Sequence, residues 1–95
     1  MIGVIATLTI QPGKQAEFEV VFARLAAQVR SDEPGNIFYL LCRSRENDQT
    51  YKVLEQYRDQ AALDAHRASA HYRAAGPLLA GVLAGAPTVE LLDAI

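Results

Sequence analysis

The order in which strand and helix patterns follow one another constrains the fold of this chain more than any other feature. Four segments have the alternation, or the branched and aromatic composition, that is typical of strands, and segments with helical spacing separate the first from the second and the third from the fourth. The predicted strands are Ile2–Ile10, Asn36–Arg43, Thr50–Tyr57 and Thr88–Leu92, and the predicted first helix is Lys14–Arg30. This order predicts an α+β fold, the ferredoxin-like split βαβ sandwich.

The second helical region is predicted in separate pieces. Asp59 is a good N-cap for a short helix, and Ser69 is a suitable cap for a further one. The Gly76-Pro77 pair is predicted to interrupt that further helix, because proline is tolerated mainly in the first turn. Pro77 would then be the first residue of a continuation through about Leu83.

Composition limits the classes of protein to which the chain can belong. With 95 residues, 51% of them hydrophobic, and a net charge of -2, residues 1–95 are predicted to form one domain without the positive charge of a nucleic-acid-binding surface. No apolar run approaches the roughly 18 residues of a membrane span. The single cysteine, Cys42, cannot form an internal disulfide, which suits a reducing compartment. We therefore expect a cytoplasmic protein that binds neither nucleic acid nor membrane.

The second predicted strand is apolar on both faces. Ile37, Tyr39 and Leu41 would point one way, and Phe38, Leu40 and Cys42 the other. The predicted helices can cover only one face of the sheet, and an uncovered apolar face of this size usually marks an interaction surface. We therefore expect a homodimer that forms sheet to sheet.

Glu55 is the carboxylate with the most unusual predicted position. It shares one side of its strand with Tyr51, Val53 and Tyr57, so it lies between apolar neighbours. Desolvation raises the pKa of such a carboxyl group, which suits a general base or a ligand-orienting group near neutral pH. The alternative is a structural hydrogen bond, or an ion pair with an arginine across the dimer.

His66 is the candidate catalytic base. It follows Leu63 by three positions, so both side chains lean toward the same side of the short helix. A neutral imidazole can accept the proton of a phenol or enol, as the deprotonation of a quinol for reaction with oxygen requires. The alternative is a capping or core histidine that is bonded to a backbone carbonyl.

His71 lies five positions after His66, which corresponds to about 140° around a continuous helix. Ser69 is predicted to end the helix between them, so the two do not form the i, i+4 pair of a zinc motif. With one cysteine and no carboxylate at ligand spacing, no metal site is predicted. His71 is interpreted as a helix-start residue and, at most, as a contact to the substrate.

Three tyrosines are candidates for the walls of a pocket. Tyr39, Tyr57 and Tyr72 could line a site for a planar aromatic substrate, because aromatic walls stack on such rings and phenol groups orient them. In a small domain the same residues can equally be ordinary core. No spacing for a nucleotide or flavin is present.

The run Glu55-Gln56-Tyr57, then Ala65-His66, then His71-Tyr72, resembles the signature of the antibiotic biosynthesis monooxygenase (ABM) family: a glutamate, any residue and an aromatic, an Ala-His in the next helix, then a second histidine followed by an aromatic. The similarity extends to Glu33-Pro34-Gly35-Asn36 before the second strand, and covers nearly the whole chain.

This resemblance implies a ferredoxin-like fold that dimerises into an α/β barrel. It also implies oxygenase activity on quinols or polyphenols without flavin, haem or metal as a cofactor. We therefore predict a monooxygenase with His66 as base and Glu55 and Tyr57 as orienting groups. Two alternatives stay open: an isomerase of a phosphorylated keto sugar, of the autoinducer-degrading kind, in which His66 or Glu55 moves a proton, and a non-catalytic binding or pathway-accessory dimer.

Overall fold

The computed structural model describes residues 1–95 and contains four strands and three helices. In chain order they are β1 Ile2–Thr9, α1 Gln15–Asp32, β2 Asn36–Arg43, β3 Thr50–Tyr57, α2 Gln60–Ala68, α3 Ala70–Ala80 and β4 Thr88–Asp93. The strands form one antiparallel sheet in the order β2-β3-β1-β4. The predicted ferredoxin-like α+β architecture is confirmed, and the sheet is open, with β2 and β4 at its edges.

Side-chain caps define the boundaries of the two short helices. The Asp59 carboxylate accepts a hydrogen bond from the backbone N–H of Ala62 at 2.8 Å, which confirms its predicted capping role. Ser69 lies between α2 and α3: its hydroxyl accepts from the N–H of Tyr72 at 3.2 Å and donates to the carbonyl of His66 at 2.7 Å. One residue therefore ends α2 and begins α3, which turns the chain between the two histidines.

The predicted interruption at Gly76-Pro77 is wrong. Helix α3 continues through Pro77 to Ala80, and Pro77 is an interior helical residue. Proline removes one N–H donor from a helix, and here it does so at an exposed position, where solvent can bind the carbonyl that is left free. The expected continuation to Leu83 is also absent, because that residue instead forms a β-bridge with Ile10.

The helices cover one face of the sheet and build the core there. Phe18 and Phe22 of α1 lie against tyrosines of the sheet, with ring centroids 4.7 Å apart for Phe18 and Tyr51 and 5.3 Å apart for Phe22 and Tyr39. The covered face consists of alternate residues of β1, β2 and β3.

None of the helices is both long enough and apolar enough to cross a membrane.

The opposite face of the sheet has no helix on it and exposes large apolar side chains. Phe38 is 45% exposed, Leu40 50% and Leu92 43%. Ile37 has no register partner, since the β2–β3 register shifts between Asn36 and Phe38, and its side chain is 50% exposed. The uncovered apolar face that the sequence predicts is thus present in the folded chain.

Candidate active site

A cavity of about 260 Å³ lies between the covered face of the sheet and the helices. Its walls are mostly apolar, with contributions from β1, β2, β3 and β4, from all three helices and from the segment between α3 and β4. The side chains with polar groups on its lining are Tyr39, Glu55, His66, Arg67 and Tyr72. An apolar cavity with a few convergent polar groups is the usual form of a small-molecule site.

Glu55 reaches the cavity from the middle of the sheet. The register pairs it with Val4 of β1 on one side and Tyr39 of β2 on the other, so the three side chains form a row on the covered face. Glu55 is only 8% exposed. Burial raises its pKa to about 7, against the opposing effects of a hydrogen bond from Tyr57 and of the nearby Arg67 charge.

The hydrogen bond that Glu55 accepts comes from its own strand. The Tyr57 hydroxyl donates to Oε1 of Glu55 at 2.7 Å, and Tyr57 itself is fully buried and does not line the cavity. Burial, and then the Glu55 charge, raise the pKa of Tyr57, so its phenol stays protonated and remains a donor. The structural hydrogen bond considered for Glu55 is therefore present, and it leaves the second carboxyl oxygen without a hydrogen-bond partner.

Glu33, which the sequence places before the second strand without predicting a role for its side chain, joins the two histidines. Nδ1 of His66 lies 2.9 Å from one oxygen of Glu33 and 3.1 Å from the other. Nε2 of His71 lies 2.5 Å from Oε2 of the same glutamate. The side chains are buried, with exposed fractions of 9% for Glu33, 3% for His66 and 9% for His71.

The contact with Glu33 fixes the tautomer of His66. A carboxylate only accepts, so Nδ1 of His66 carries the proton and donates it, and Nε2 of the neutral ring is left as an acceptor. Nε2 makes no hydrogen bond, and no fully buried side-chain nitrogen or oxygen lacks a partner, so Nε2 is not fully buried. The residue itself lines the cavity. His66 is therefore oriented as a proton acceptor. The alternative of a ring bonded to a backbone carbonyl is wrong, because the partner of the ring is the Glu33 side chain.

Three tyrosine rings surround the imidazole of His66. The ring centroids of Tyr39 and Tyr57 lie 5.3 Å from that of His66, and the centroid of Tyr72 lies 4.7 Å from it. Burial lowers the pKa of His66, while the hydrogen bond and negative charge of Glu33 act in the opposite direction. The surroundings thus favour the neutral ring, and Glu33 stabilises the cation that would form on proton uptake.

The turn that carries Glu33 packs closely against the start of α2. It follows α1 directly, and its N–H donates to the carbonyl of Val29. Two residues on, the Gly35 carbonyl accepts from the N–H of Arg58, and a β-carbon at Gly35 would lie 2.5 Å from that of Ala62. The turn before β2 and the start of α2 meet because β2 and β3 are antiparallel neighbours. This pairing was the signal in the sequence that could have placed Glu33 near the histidines.

The six residues singled out in the sequence fall into two groups. His66, Glu55, Tyr39 and Tyr72 line the cavity, whereas Tyr57 and His71 lie behind it, bonded to Glu55 and to Glu33. Their catalytic or binding roles stay predictions. Arg67 was missed although it is adjacent to His66 in sequence: it lines the cavity and forms no hydrogen bond or ion pair through its side chain.

Comparisons with known proteins agree with this architecture. A solved structure of an antibiotic biosynthesis monooxygenase candidate from Caulobacter crescentus superposes with a TM-score of 0.96, at 49% identity, covering 99% of this chain and 89% of that one. SnoaB of Streptomyces nogalater, described as a cofactor-independent oxygenase, gives a TM-score of 0.86 at 27% identity, with 98% and 91% of the chains covered.

The sequence relationships point to the same group. YcnE of Bacillus subtilis (strain 168), a candidate monooxygenase by name, is 32% identical over 73 residues, which are 77% of this chain and 76% of YcnE. The family model described as antibiotic biosynthesis monooxygenase matches residues 1–77, a stretch that includes Glu33, Glu55 and both histidines. Given this match and the shared fold, the chain belongs to the antibiotic biosynthesis monooxygenase family.

Proposed function

We propose that this protein is a cofactor-independent monooxygenase that oxidises a small quinol or polyphenol with molecular oxygen. The observation that carries the proposal is the setting of His66: Glu33 holds its Nδ1–H, its Nε2 has no hydrogen-bond partner, and the residue lines an apolar cavity walled by tyrosines. A buried imidazole in this tautomer is suited to remove a phenolic proton.

In the proposed reaction, Nε2 of His66 takes the proton of a substrate hydroxyl group. The positive charge that develops on the ring is stabilised by Glu33, as a buried carboxylate stabilises the imidazolium of a hydrolase triad. The electron-rich phenolate then reduces oxygen directly. A quinol and O₂ yield a hydroxyquinone and water, so one oxygen atom enters the product and the substrate supplies all the electrons.

The dimensions and walls of the cavity support a small aromatic substrate. Pockets for drug-sized ligands occupy roughly 300 to 1,000 Å³, and this cavity of about 260 Å³ lies just below that range. Tyr39 and Tyr72 present aromatic surface for stacking, and Glu55, with its pKa raised to about 7, can donate to or accept from a second hydroxyl group. SnoaB, described as a cofactor-independent oxygenase, provides a precedent for such chemistry in a similar fold.

Oxygen uptake by the chelator-treated protein tests the proposal. A panel of quinols and polyphenols would be compared with a protein-free autoxidation blank. We expect His66→Ala to lower the rate by about 10² to 10⁴-fold, the usual contribution of a general base. Arg73→Ala, an exposed change on α3 outside the cavity, is the control. Uptake equal to the blank over the whole panel, or full uptake in His66→Ala, would refute the proposed reaction.

A second candidate is an isomerase of a phosphorylated keto sugar, and Arg67 favours it. Its guanidinium lines the cavity without an internal partner, as a phosphate-binding group would. Glu55 and His66 would then move a proton between carbons beside a carbonyl. This reaction predicts solvent deuterium exchange into the sugar without oxygen uptake, lost in Arg67→Ala and retained in Arg73→Ala. If the protein catalyses neither oxygen uptake nor deuterium exchange, the remaining alternative is a non-catalytic binding protein.

The proposed functional unit is a homodimer in which the uncovered face of the sheet packs against its copy. Phe38, Leu40 and Leu92 supply apolar surface there. Light scattering coupled to gel filtration would give the mass. We expect Leu40→Lys to yield monomers, whereas Val20→Lys, a similarly exposed position on α1, leaves the dimer intact. A monomeric wild-type protein would exclude this assembly.

A further inference from the structure

We propose that Glu33, His66 and His71 form a binding site for a divalent transition-metal ion, with Zn²⁺ as its most direct probe. One carboxylate and two imidazoles are a usual donor set for this class of ion. Their potential ligand atoms all lie within 4.8 Å of one another. The site lies behind the cavity, and neither His71 nor Glu33 lines the cavity itself.

The three donors come from the ends of three helices that meet at one place. Glu33 follows α1, His66 is in the last turn of α2, and His71 is the second residue of α3. The break at Ser69 brings the second imidazole to the carboxylate, which a continuous helix would not do. Spacing along the chain predicts no metal site, because these donors are brought together only by the fold.

The geometry requires little rearrangement for an ion to enter. Bonds of about 2.0 to 2.1 Å at tetrahedral angles separate ligand atoms by roughly 3.4 Å. The nitrogen–oxygen distances here are 2.9 Å at His66 and 2.5 Å at His71. Each nitrogen–oxygen pair therefore has to open by less than about 1 Å, and the three ligand atoms already lie within 4.8 Å of one another. The side chains of Glu33 and His71 are 9% exposed, which leaves them in contact with solvent.

Metal binding would reverse the tautomer of His66. An ion on Nδ1 displaces the proton that Glu33 now accepts, so a neutral ring must carry its proton on Nε2 instead. The same exchange occurs at His71, where the ion takes Nε2 and the proton moves to Nδ1. If His66 is the base of the proposed oxygenase, the bound ion removes its acceptor from the cavity, and Zn²⁺ inhibits the enzyme reversibly.

Calorimetric titration of the chelator-treated full chain with ZnCl₂ tests the site. We expect saturable binding of one ion per chain, and we expect His71→Ala and Glu33→Gln each to weaken it by more than about tenfold. Circular dichroism would verify that both variants fold. Cys42→Ser and Glu46→Gln are the controls, because Cys42 is the only thiol and Glu46 is an exposed carboxylate. Absence of saturable binding, or binding that only Cys42→Ser removes, would overturn the proposal.

A second measurement reads the tautomers without any assay of activity. The chain has only two histidines, so ¹⁵N-labelled imidazole resonances can be assigned directly. We expect the proton of His66 to move from Nδ1 to Nε2 as Zn²⁺ is added; unchanged tautomers at saturation would refute coordination. Zinc binding without oxygen uptake would refute the oxygenase alone, whereas uptake without zinc binding would refute the metal site alone.

Discussion

Replacement of Glu55 by glutamine should remove a large pH dependence of stability. Burial raises the pKa of Glu55 to about 7 from an ordinary value of 4.5, so the folded state keeps a proton that the unfolded state has lost between these values. The contribution of Glu55 to stability is therefore fully present below about pH 4.5 and is lost as the pH rises toward 7. At 1.36 kcal/mol per unit, the folded state loses about 2 to 3 kcal/mol between pH 5 and pH 8 from this group alone.

Glutamine does not titrate, and its carbonyl oxygen can still accept the hydrogen bond from Tyr57. Urea unfolding of wild type and Glu55→Gln would be followed by far-ultraviolet circular dichroism at one fixed protomer concentration, in steps from pH 5 to pH 8. The wild-type free energy of unfolding minus that of Glu55→Gln should decrease by about 2 to 3 kcal/mol over this range. Glu46→Gln, in an exposed loop, is the matched control and should give a constant difference. Parallel curves for wild type and Glu55→Gln would refute the raised pKa.

Three further changes test how the site is held together. Gly35→Ala should destabilise the chain by about 1 to 3 kcal/mol in urea unfolding, since the new methyl group meets the β-carbon of Ala62, and Ala62→Gly should restore part of the loss; an unchanged midpoint would contradict that contact. Asp59→Ala should cost about 1 kcal/mol by the same assay, through the lost cap of α2, and Asp59→Asn should recover most of it. Tyr57→Phe removes the hydrogen bond that lowers the pKa of Glu55, so the inflection of the stability curve should move above pH 7; an unmoved inflection would show that this bond has no effect on the carboxyl group.

The fold was predictable because its determinants are local. Alternating residues specify β1 and β3, and the caps at Asp59 and Ser69 specify where α2 and α3 begin. Pro77 was misjudged because the cost of proline inside a helix is one hydrogen bond and one steric contact, which an exposed position can absorb. The local conformational preference of Gly76-Pro77 predicts a helix break at this point, but the packing of α3 on its neighbours outweighs that preference.

The candidate site was predictable only in part, since it depends on contacts between distant segments. His66 and Glu55 were identified from their predicted faces, and both line the cavity. Glu33 lies 33 positions before His66 and 38 before His71, so no spacing rule along the chain connects them. Their meeting follows from the β2–β3 pairing and from the close approach of Gly35 to α2.

The polar and some of the apolar residues that line the cavity come from different parts of the sequence, which affects how its ligand specificity can change. The groups to which we assign proton transfer all lie before His71, within the matched part of the family model, which ends at residue 77. The apolar wall contributed by Leu79, Leu83, Pro87 and Val89 lies beyond that limit. Substitutions in this last stretch can change the shape of the cavity while leaving the proposed base, His66, and its partner Glu33 unchanged. A library confined to residues 78–95 could therefore redirect the protein to new ligands without rebuilding its chemistry.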